Sequence, residues 1–531
     1  MTLTTLDLVI FISYIIAMMA IGLFMARSKK TENSEDYFLA GKELPWWAVG
    51  GSLIASNISA EQMIGMAGSG FVIGMAISSY ELMAAATLLV VAKFFLPAFV
   101  KNKITTMPQF VERRFDGRVR TGLAVFWVML FIFVNITSLF YLGGLAISKI
   151  MDIPLTLSIV GLAIYSASFS IFGGLRVVVW TDVIQVIVLV LGGTLASYMA
   201  LNALSGGEGV FAGMQELYQR APEKFNMIFD KDDTYVDIQT GKTESSYALL
   251  PGIAVLIGGM WIANLYYWGI NQYIIQRALA AKSIQEAQKG LVFAAFIKVF
   301  IPFIVVLPGI VAFVMQADIQ KADEAYPWIL SNYVTSGFRG IALAALVAAI
   351  GSSISSMANS ASTIYTLDIH RVLIRRNVSE KSLVKIGQIT AAATLVIGVL
   401  MTPLLENFGQ VFQFIQEYTG FVSPGILCIF MFGLFWKRTT TNAALFVLII
   451  SIPLSLALKF FFPEWAFLNR MGVCFLVLSF IMIVISYMGN DPSYEQKALV
   501  TDPSEYKTTN SFNILSIILL SILAAIYAIL W

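Results

Sequence analysis

Two charged residues lie inside strongly apolar stretches of this sequence. Glu81 belongs to a stretch that extends to about residue 100, and Lys298 lies within the apolar run 293–302. A charge at the bilayer centre costs about 2.5–3.5 kcal/mol on insertion scales, so it needs a partner, water or a ligand. The pattern favours a polar transport site that contains both side chains. The alternative is that the charges only join helices or extend to the membrane surface.

The composition indicates a helical membrane protein. The chain is 58% hydrophobic and 12% charged, with a mean hydropathy of +0.80, whereas soluble proteins carry about 25% charged residues. The net charge of +2 gives no sign of a nucleic-acid partner. Cys428 and Cys474 lie in apolar stretches, which predicts no disulfide framework. His370 is the only histidine, so the sequence predicts neither a zinc site nor histidine-based catalysis.

Apolar runs of spanning length predict about fourteen transmembrane helices. They lie at roughly 5–26, 45–74, 78–100, 121–150, 155–173, 177–204, 248–276, 288–316, 337–370, 384–402, 406–436, 440–460, 469–489 and 512–531. The polar, acidic insert 205–247 is predicted to be a surface loop. Most Lys and Arg residues between spans fall on one side, and the positive-inside rule then places both termini and this insert outside.

Two of the predicted spans are interrupted by polar residues. The span 45–74 contains the polar segment 57–62, and the span 248–276 contains the segment 264–272. Broken helices at matching places in two halves of a chain point to a midplane binding site. Unwound backbone frees carbonyl groups that need a partner, and a sodium ion suits them. The alternative is a glycine kink that serves packing alone.

Four segments of the sequence resemble the sodium:solute symporter family, and within it the bacterial sugar carriers. They are residues 36–50, 52–62, 180–185 and 412–425. The resemblance implies an all-α membrane fold with a five-plus-five inverted-repeat core, like that of the leucine transporter. The implied units are an N-terminal helix and inner loop (1–44), a first repeat (45–204), an outer loop (205–247), a second repeat (248–436) and C-terminal helices (437–531).

The resemblance also implies a set of solute-binding residues. Gln62, Glu81, Asn264, Lys298 and Gln416 would bind sugar hydroxyls, with Asn57 and Asn135 nearby; Tyr267 and Trp268 would close the inner side, and Met66, Tyr80 and Phe412 the outer side. Such amides and charges supply the donors and acceptors that a polyol needs. Ala84 stands where the galactose-carrying relatives have serine, so the identity of the sugar stays open.

A sodium site is implied in the same way. Its ligands would be the carbonyls of Ala55, Ile58 and Ala349 and the hydroxyls of Ser352 and Ser353. Such a small set of ligands, none with a formal charge, suits a monovalent ion better than it suits calcium. The alternative is a face of small residues that lets helices approach closely.

A second sodium site is a further candidate. It would be formed by Asp182, Ser355 and Ser356, and the serines share a helix face with Ser352. The alternative is that Asp182 forms an ion pair, with Arg176 or Lys385 as its partner. The number of sodium ions per solute therefore stays open.

These observations predict a sodium-driven symporter of a neutral galactose- or glucose-like sugar in the bacterial inner membrane. Its partners would be sodium, the sugar and the bilayer, with no nucleic acid, and its oligomeric state stays open between monomer and dimer. Sialic acid, inositol, proline and pantothenate are the alternative solutes. An enzyme is not expected, because the sequence offers no Ser/His or Cys/His pair.

Overall fold

The computed structural model describes residues 3–28, 33–59, 61–405, 411–489, 497–499 and 503–531, and of residues 28, 61, 172, 411–414 and 503 it describes the backbone alone. The α-helices are α1 Thr5–Ser28, α2 Ser34–Leu39, α3 Trp46–Asn57, α4 Ala67–Ile73, α5 Ser79–Val90, α6 Leu96–Lys101, α7 Met107–Arg114, α8 Gly117–Leu130, α9 Thr137–Met151, α10 Leu155–Leu204, α11 Val210–Arg220, α12 Ser246–Leu249, α13 Ala254–Ile257, α14 Gly259–Gly269, α15 Gln272–Leu279, α16 Ile284–Val305, α17 Leu307–Val314, α18 Ala325–Asn332, α19 Phe338–Ile364, α20 Glu380–Met401, α21 Val411–Gly420, α22 Ser423–Phe435, α23 Thr441–Phe461, α24 Phe467–Met488 and α25 Asn510–Ile529. The strands are β1 Thr234–Val236 and β2 Thr243–Ser245.

Within the described residues, eleven helices are long and apolar enough to cross a membrane, or twelve if the bent pair Ser246–Ile257 and Gly259–Gly269 is one span. The predicted number of about fourteen is not confirmed. The helix Leu155–Ile171 is shorter than a full span. The chain leaves helix geometry at Gly74, with φ 71° and ψ −149°, which agrees with the predicted boundary between the spans 45–74 and 78–100.

The first predicted break is confirmed at the end of α3. Ile58 leaves helix geometry, with φ −74° and ψ 106°, and a π-helical turn, Glu61–Met66, then leads into α4. In a continuing α-helix the Ser59 amide would donate to the Ala55 carbonyl. Here it donates to Oε1 of Gln62 at 3.1 Å instead. The break therefore releases a carbonyl of α3 from its helical partner.

The second predicted break is also confirmed, and an unpredicted bend precedes it. α14 ends at Gly269, Asn271 is extended (φ −66°, ψ 122°), and α15 begins at the next residue. A 74° bend separates α13 from α14. A Cβ at Gly259 would lie 2.0 Å from the Leu468 carbonyl oxygen. Glycine is therefore required at the bend, and the Gly258-Gly259 pair is the sequence signal for it.

Close helix packing brings the two halves of the chain together beside these breaks. α16 packs against both α3 and α5. A Cβ at Gly50 would lie only 2.6 Å from the carbonyl oxygen of Gly290, so small residues set the distance between α3 and α16. This packing places Lys298 of α16 between the end of α3 and the Glu81 side chain of α5.

α10 supports the same region from the other side. Its backbone breaks at Gly174, where φ is 55°, which agrees with the predicted boundary between the spans 155–173 and 177–204. α10 packs along α19 and contacts α3. As a result, Asp182 lies among serines of α3 and α19.

The insert 205–247 is folded, in contrast to the predicted loop. It contains α11 and an antiparallel hairpin of β1 and β2, in which Tyr235 lies opposite Glu244. A short 3₁₀ helix, Pro222–Phe225, contacts the end of α4. There Lys224 Nζ donates to the carbonyls of Phe71 at 3.1 Å and Val72 at 2.6 Å.

Candidate functional site

A cavity of about 820 Å³, including the part open to solvent, lies where the two broken helices meet. The predicted solute-binding and gate residues that line it are Asn57, Gln62, Tyr80, Glu81, Asn135, Asn264, Tyr267, Trp268, Lys298 and Gln416. Ala84 lines it as well. The structure thus brings together side chains that are up to 359 positions apart in the sequence (Asn57 to Gln416).

The two charges that were singled out in the sequence form a buried pair. Lys298 Nζ donates to Oε2 of Glu81 and to Oδ1 of Asn57. Lys298 is fully buried and the Glu81 side chain is 4% exposed. The ammonium also lies 5.1 Å from the ring centroid of Trp268, within the range of a cation–π contact. The pair is neutral overall, polar and able to exchange hydrogen bonds with a solute.

Aromatic residues of α14 and α15 form one side of the cavity. The Tyr267 hydroxyl accepts a hydrogen bond from Asn57 Nδ2 at 2.9 Å and another from the Tyr273 hydroxyl. The rings of Tyr267 and Trp268 contact edge to face, with centroids 5.2 Å apart. The Asn57–Tyr267 bond therefore joins the end of α3 directly to α14, and it must be exchanged whenever these two elements separate.

Three amide side chains that were predicted to bind solute differ in their hydrogen bonding within the described structure. Gln62 Oε1 accepts from the amide and the hydroxyl of Ser59. Asn264 Nδ2 donates to the Met260 carbonyl of its own helix at 3.1 Å. Oδ1 of Asn135 is buried without a partner among the described residues. The cavity wall therefore contains amide groups that already bond to the protein and one amide oxygen that does not.

One of the predicted outer gate residues does not line the cavity among the described residues. Met66 is fully buried and is not among the described residues that line it. The side chain of Phe412 lies outside the part of the chain that the structure describes. Tyr80 does line the cavity. Sequence reasoning missed four polar lining residues, Asn271, Tyr273, Thr419 and Ser423.

The residues predicted to hold sodium lie where α3 meets α19. Ala55, Ile58, Ala349, Ser352 and Ser353 are all buried. The Ser353 hydroxyl donates to the Ser56 carbonyl at 2.9 Å, so this serine bridges the two helices. The diverted Ser59 amide leaves the Ala55 carbonyl without its helical donor, as described above. Carbonyl and hydroxyl oxygens of this kind fit a monovalent cation.

Asp182 is paired with a residue that the sequence analysis did not consider. Its Oδ2 lies 3.5 Å from Nη2 of Arg277, and both side chains are fully buried. Arg176, one of the two predicted partners, pairs instead with Glu43 at 3.4 Å. An arginine in α15, shortly after the second break, was the available signal for this contact. Asp182 therefore forms an ion pair, as the alternative prediction had it, but its partner is Arg277 and not Arg176.

Serine hydroxyls surround this buried pair. Ser52 and Ser352 donate to the Asp182 carboxylate at 2.6 and 2.5 Å. Arg277 donates to Ser356 Oγ. The Ser355 hydroxyl turns back to the Ser352 carbonyl at 2.9 Å. The second sodium site at Asp182, Ser355 and Ser356 stays a prediction.

Comparison with known proteins identifies the family. The family model described as the sodium:solute symporter family matches residues 37–451. The chain belongs to the sodium:solute symporter family. It is therefore a multi-pass membrane transporter with sodium as its coupling ion, and it is not an enzyme.

Individual relatives agree with this assignment. The chain is 48% identical to a sodium/glucose cotransporter of Vibrio parahaemolyticus over 100% of this chain and 99% of the relative. It is 34% identical to a sodium/myo-inositol cotransporter 2 of Homo sapiens over 85% of this chain and 69% of that protein.

Solved structures show the fold. A sodium-coupled sialic acid symporter in a substrate-bound outward-open state has a TM-score of 0.78 at 23% identity, over 92% of this chain and 98% of the other. A transporter of the nucleobase-cation-symport-1 family has a TM-score of 0.53 at 13% identity, over 88% and 99%. The expected leucine-transporter-like helical core is confirmed.

Proposed function

We propose that this protein carries a neutral, glucose- or galactose-like sugar into the cell together with sodium. The observation that carries the proposal is the polar cavity between the two broken helices, with the neutral Glu81/Lys298 pair and a tyrosine in its wall. Carboxylate, ammonium and amide groups match the alternating donors and acceptors of sugar hydroxyls. The name of the Vibrio relative, which matches the full chain, supports the same solute class.

Binding of the sugar uses groups from both halves of the chain. Gln62, Glu81, Asn264, Lys298 and Gln416 bind hydroxyls, with Asn57 and Asn135 beside them. The ring of Tyr267 packs against the less polar C–H face of the sugar and separates it from the inner side, with Trp268 next to it. Tyr80 closes the outer side, together with Met66 and Phe412 in another state of the transport cycle. The buried hydrogen bonds of the pair make this recognition selective.

Sodium binds where α3 meets α19. Its ligands are the carbonyls of Ala55, Ile58 and Ala349 and the hydroxyls of Ser352 and Ser353. Because Ser353 bridges α3 and α19, an ion at this place fixes the end of α3 that also carries Asn57. Sodium therefore stabilises the cavity in its solute-binding form, and loss of the ion inside allows α3 and α14 to separate.

The energy of one sodium ion is sufficient for accumulation of the solute. One charge that moves through 100 mV releases about 2.3 kcal/mol. A tenfold sodium gradient adds about 1.4 kcal/mol. Together they sustain roughly a 500-fold gradient of a neutral sugar.

An uncharged solute fits the site better than an anion. The Glu81/Lys298 pair has no net charge, whereas a sialic acid or another carboxylate would favour an excess of positive charge. Inositol, the solute in the name of several relatives, is also a neutral polyol. Ala84, which offers no hydroxyl, leaves the choice among neutral polyols to the other lining residues.

Uptake of a labelled solute panel into proteoliposomes tests the proposal. The panel contains glucose, galactose, myo-inositol, sialic acid, proline and pantothenate, each with an inward sodium gradient and without one. We expect sodium-dependent accumulation of a hexose. Accumulation of sialic acid, proline or pantothenate without any hexose would contradict the proposed solute class.

We further propose that the protein lies in the bacterial inner membrane with both termini and the insert 205–247 outside. The charge distribution between spans supports this orientation. The native Cys428 and Cys474 are buried, so an added cysteine can be labelled selectively. Lys242→Cys should react with a membrane-impermeant maleimide on intact cells, whereas Lys385→Cys should react only after permeabilisation. The reverse pattern would contradict the orientation.

A further inference from the structure

Several polar atoms in the cavity wall have no partner within the described part of the chain. They are Oδ1 of Asn135, Oδ1 of Asn271 and Oγ of Ser423, and all three residues line the cavity. Asn271 is 3% exposed and Ser423 is fully buried. A buried polar atom without a hydrogen bond has lost its hydration without compensation, which is unfavourable. Such atoms gain most from a solute that supplies the missing partner.

The charged pair in the cavity wall and its neighbours are already hydrogen-bonded. Lys298 donates to Glu81 and Asn57, and Asn57 donates to Tyr267. A solute that binds these groups must share or exchange existing hydrogen bonds. Asn271 and Ser423 differ, because a solute hydroxyl would add a hydrogen bond there without breaking one.

Asn271 occupies a position where its side chain would ordinarily serve the backbone. It is the N-cap residue of α15, yet its side chain makes no capping hydrogen bond. An N-cap asparagine typically accepts from the amide of the second or third residue of the helix. Here Asn271 lines the cavity, and its Oδ1 is buried without a partner among the described residues. Because Asn271 makes no N-cap hydrogen bond to the backbone of α15, its side-chain oxygen is available to a ligand.

Ser423 supplies a second group from a different element. It is the first residue of α22 and is followed by Pro424, and it lies shortly after Gln416 of α21. α14 contacts both α5, which carries Glu81, and α22, which carries Ser423. Asn271 and Ser423 therefore come from elements other than α5 and α16, which carry the Glu81/Lys298 pair.

We propose that Asn271 and Ser423 are specificity-determining residues that each bind one hydroxyl group of the solute. This inference rests on the proposed function, since it takes the solute to be a neutral polyol. Oδ1 of Asn271 only accepts, so it selects a hydroxyl that donates. The hydroxyl of Ser423 donates or accepts, so it tolerates a fluorine in place of the solute hydroxyl. These contacts provide selectivity that Ala84 does not.

The test is sodium-driven uptake of the transported hexose and of its monodeoxy and monofluoro analogues, one for each hydroxyl position. In the wild type, a first position, whose hydroxyl donates to Asn271, should lose about tenfold in apparent affinity with both the deoxy and the fluoro analogue. A hydroxyl that donates to the Glu81 carboxylate should behave in the same way, so substitution must separate the two. A second position should lose affinity with the deoxy analogue but regain it with the fluoro analogue, which marks Ser423.

Substitution then assigns each position. Asn271→Ala should lower the apparent affinity for the parent sugar about tenfold. In this variant the deoxy analogue of the first position should bind no more weakly than the parent sugar, whereas the other positions should keep their wild-type losses. Ser423→Ala should do the same at the second position. Asn359 and Ser451 are matched controls, because their side-chain polar atoms are also buried without described partners but they do not line the cavity. Asn359→Ala and Ser451→Ala should keep the wild-type pattern.

The outcomes separate this inference from the proposed function. Absence of any sodium-driven hexose uptake contradicts the proposed function itself. Hexose uptake with unchanged deoxy-sugar losses in Asn271→Ala and Ser423→Ala overturns the inference alone. If a variant does not fold, the wild-type series still decides, because restoration of affinity by fluorine at every position would overturn the role of Asn271.

Discussion

At the scale of single residues, the buried Glu81/Lys298 pair is the part of the site that the sequence predicted most directly. Two charges in apolar runs require each other, water or a ligand, and the structure places them in contact. The bonds that surround the pair were not predictable, because they depend on how α3, α5 and α16 pack. Arg277 was missed for the same reason: its partner, Asp182, is far away in the sequence.

The charged pair gives a prediction with a distinctive pattern. Glu81→Ala and Lys298→Ala should each abolish sugar binding and lower the free energy of unfolding by about 3–5 kcal/mol, because each leaves an unpaired buried charge. The double variant should lose binding as well but should be less destabilised than either single variant. Sugar binding by scintillation proximity and thermal unfolding in detergent provide the two measurements. Near-normal binding in either single variant would show that the charges are structural.

At the scale of elements, polar residues inside apolar spans located both breaks correctly, at the end of α3 and between α14 and α15. The signal was local, since carbonyls and amides that leave a helix need polar partners nearby. The bend at Gly258 and the fold of the insert 205–247 escaped prediction. Both depend on contacts with distant segments, namely Leu468 for the bend and α4 for the insert.

The insert provides a pH-dependent prediction. Burial lowers the pKa of Lys224 to about 8, while Nζ lies 3.9 Å from the Phe313 ring centroid. The unfolded state then binds more protons than the folded state between about pH 8 and pH 10.5, so stability should rise across this window. Thermal unfolding should show that this rise is smaller in Lys224→Met. Lys242→Met, at an exposed site of the same insert, is the control, and equal pH slopes for all three proteins would contradict the assignment.

At the scale of the whole molecule, family membership and fold follow from features spread over the full chain. Hydropathy predicted a helical membrane protein, and the quoted motifs predicted the family. The predicted number of spans is not confirmed, because the count depends on how short and broken helices are assigned. The contact of the two halves of the chain around one cavity depends on tertiary packing, which hydropathy does not predict.

The buried Arg277 leads us to expect one sodium ion per sugar. The Asp182 carboxylate already faces a cation. The attraction that it offers a sodium ion is therefore offset by repulsion from Arg277, which is about 4 kcal/mol for two unit charges about 4 Å apart at an effective dielectric constant of 20. Reversal-potential measurements on proteoliposomes give the ratio directly. We expect a ratio of one in the wild type and in Asp182→Asn. A wild-type ratio of two that falls to one in Asp182→Asn would establish the second site instead.

The central claim is that sodium bound between α3 and α19 drives solute uptake, and a sodium titration of uptake tests it most directly. Ser353→Ala should raise the sodium concentration for half-maximal uptake about tenfold, because it removes a ligand and the bridge to Ser56. Ser362→Ala is the control, since this buried hydroxyl of the same helix donates to the Gly387 carbonyl instead. We predict no accumulation in potassium buffer, a shifted titration for Ser353→Ala and an unchanged one for Ser362→Ala. Equal uptake by the wild type in sodium and in potassium buffer would contradict the account.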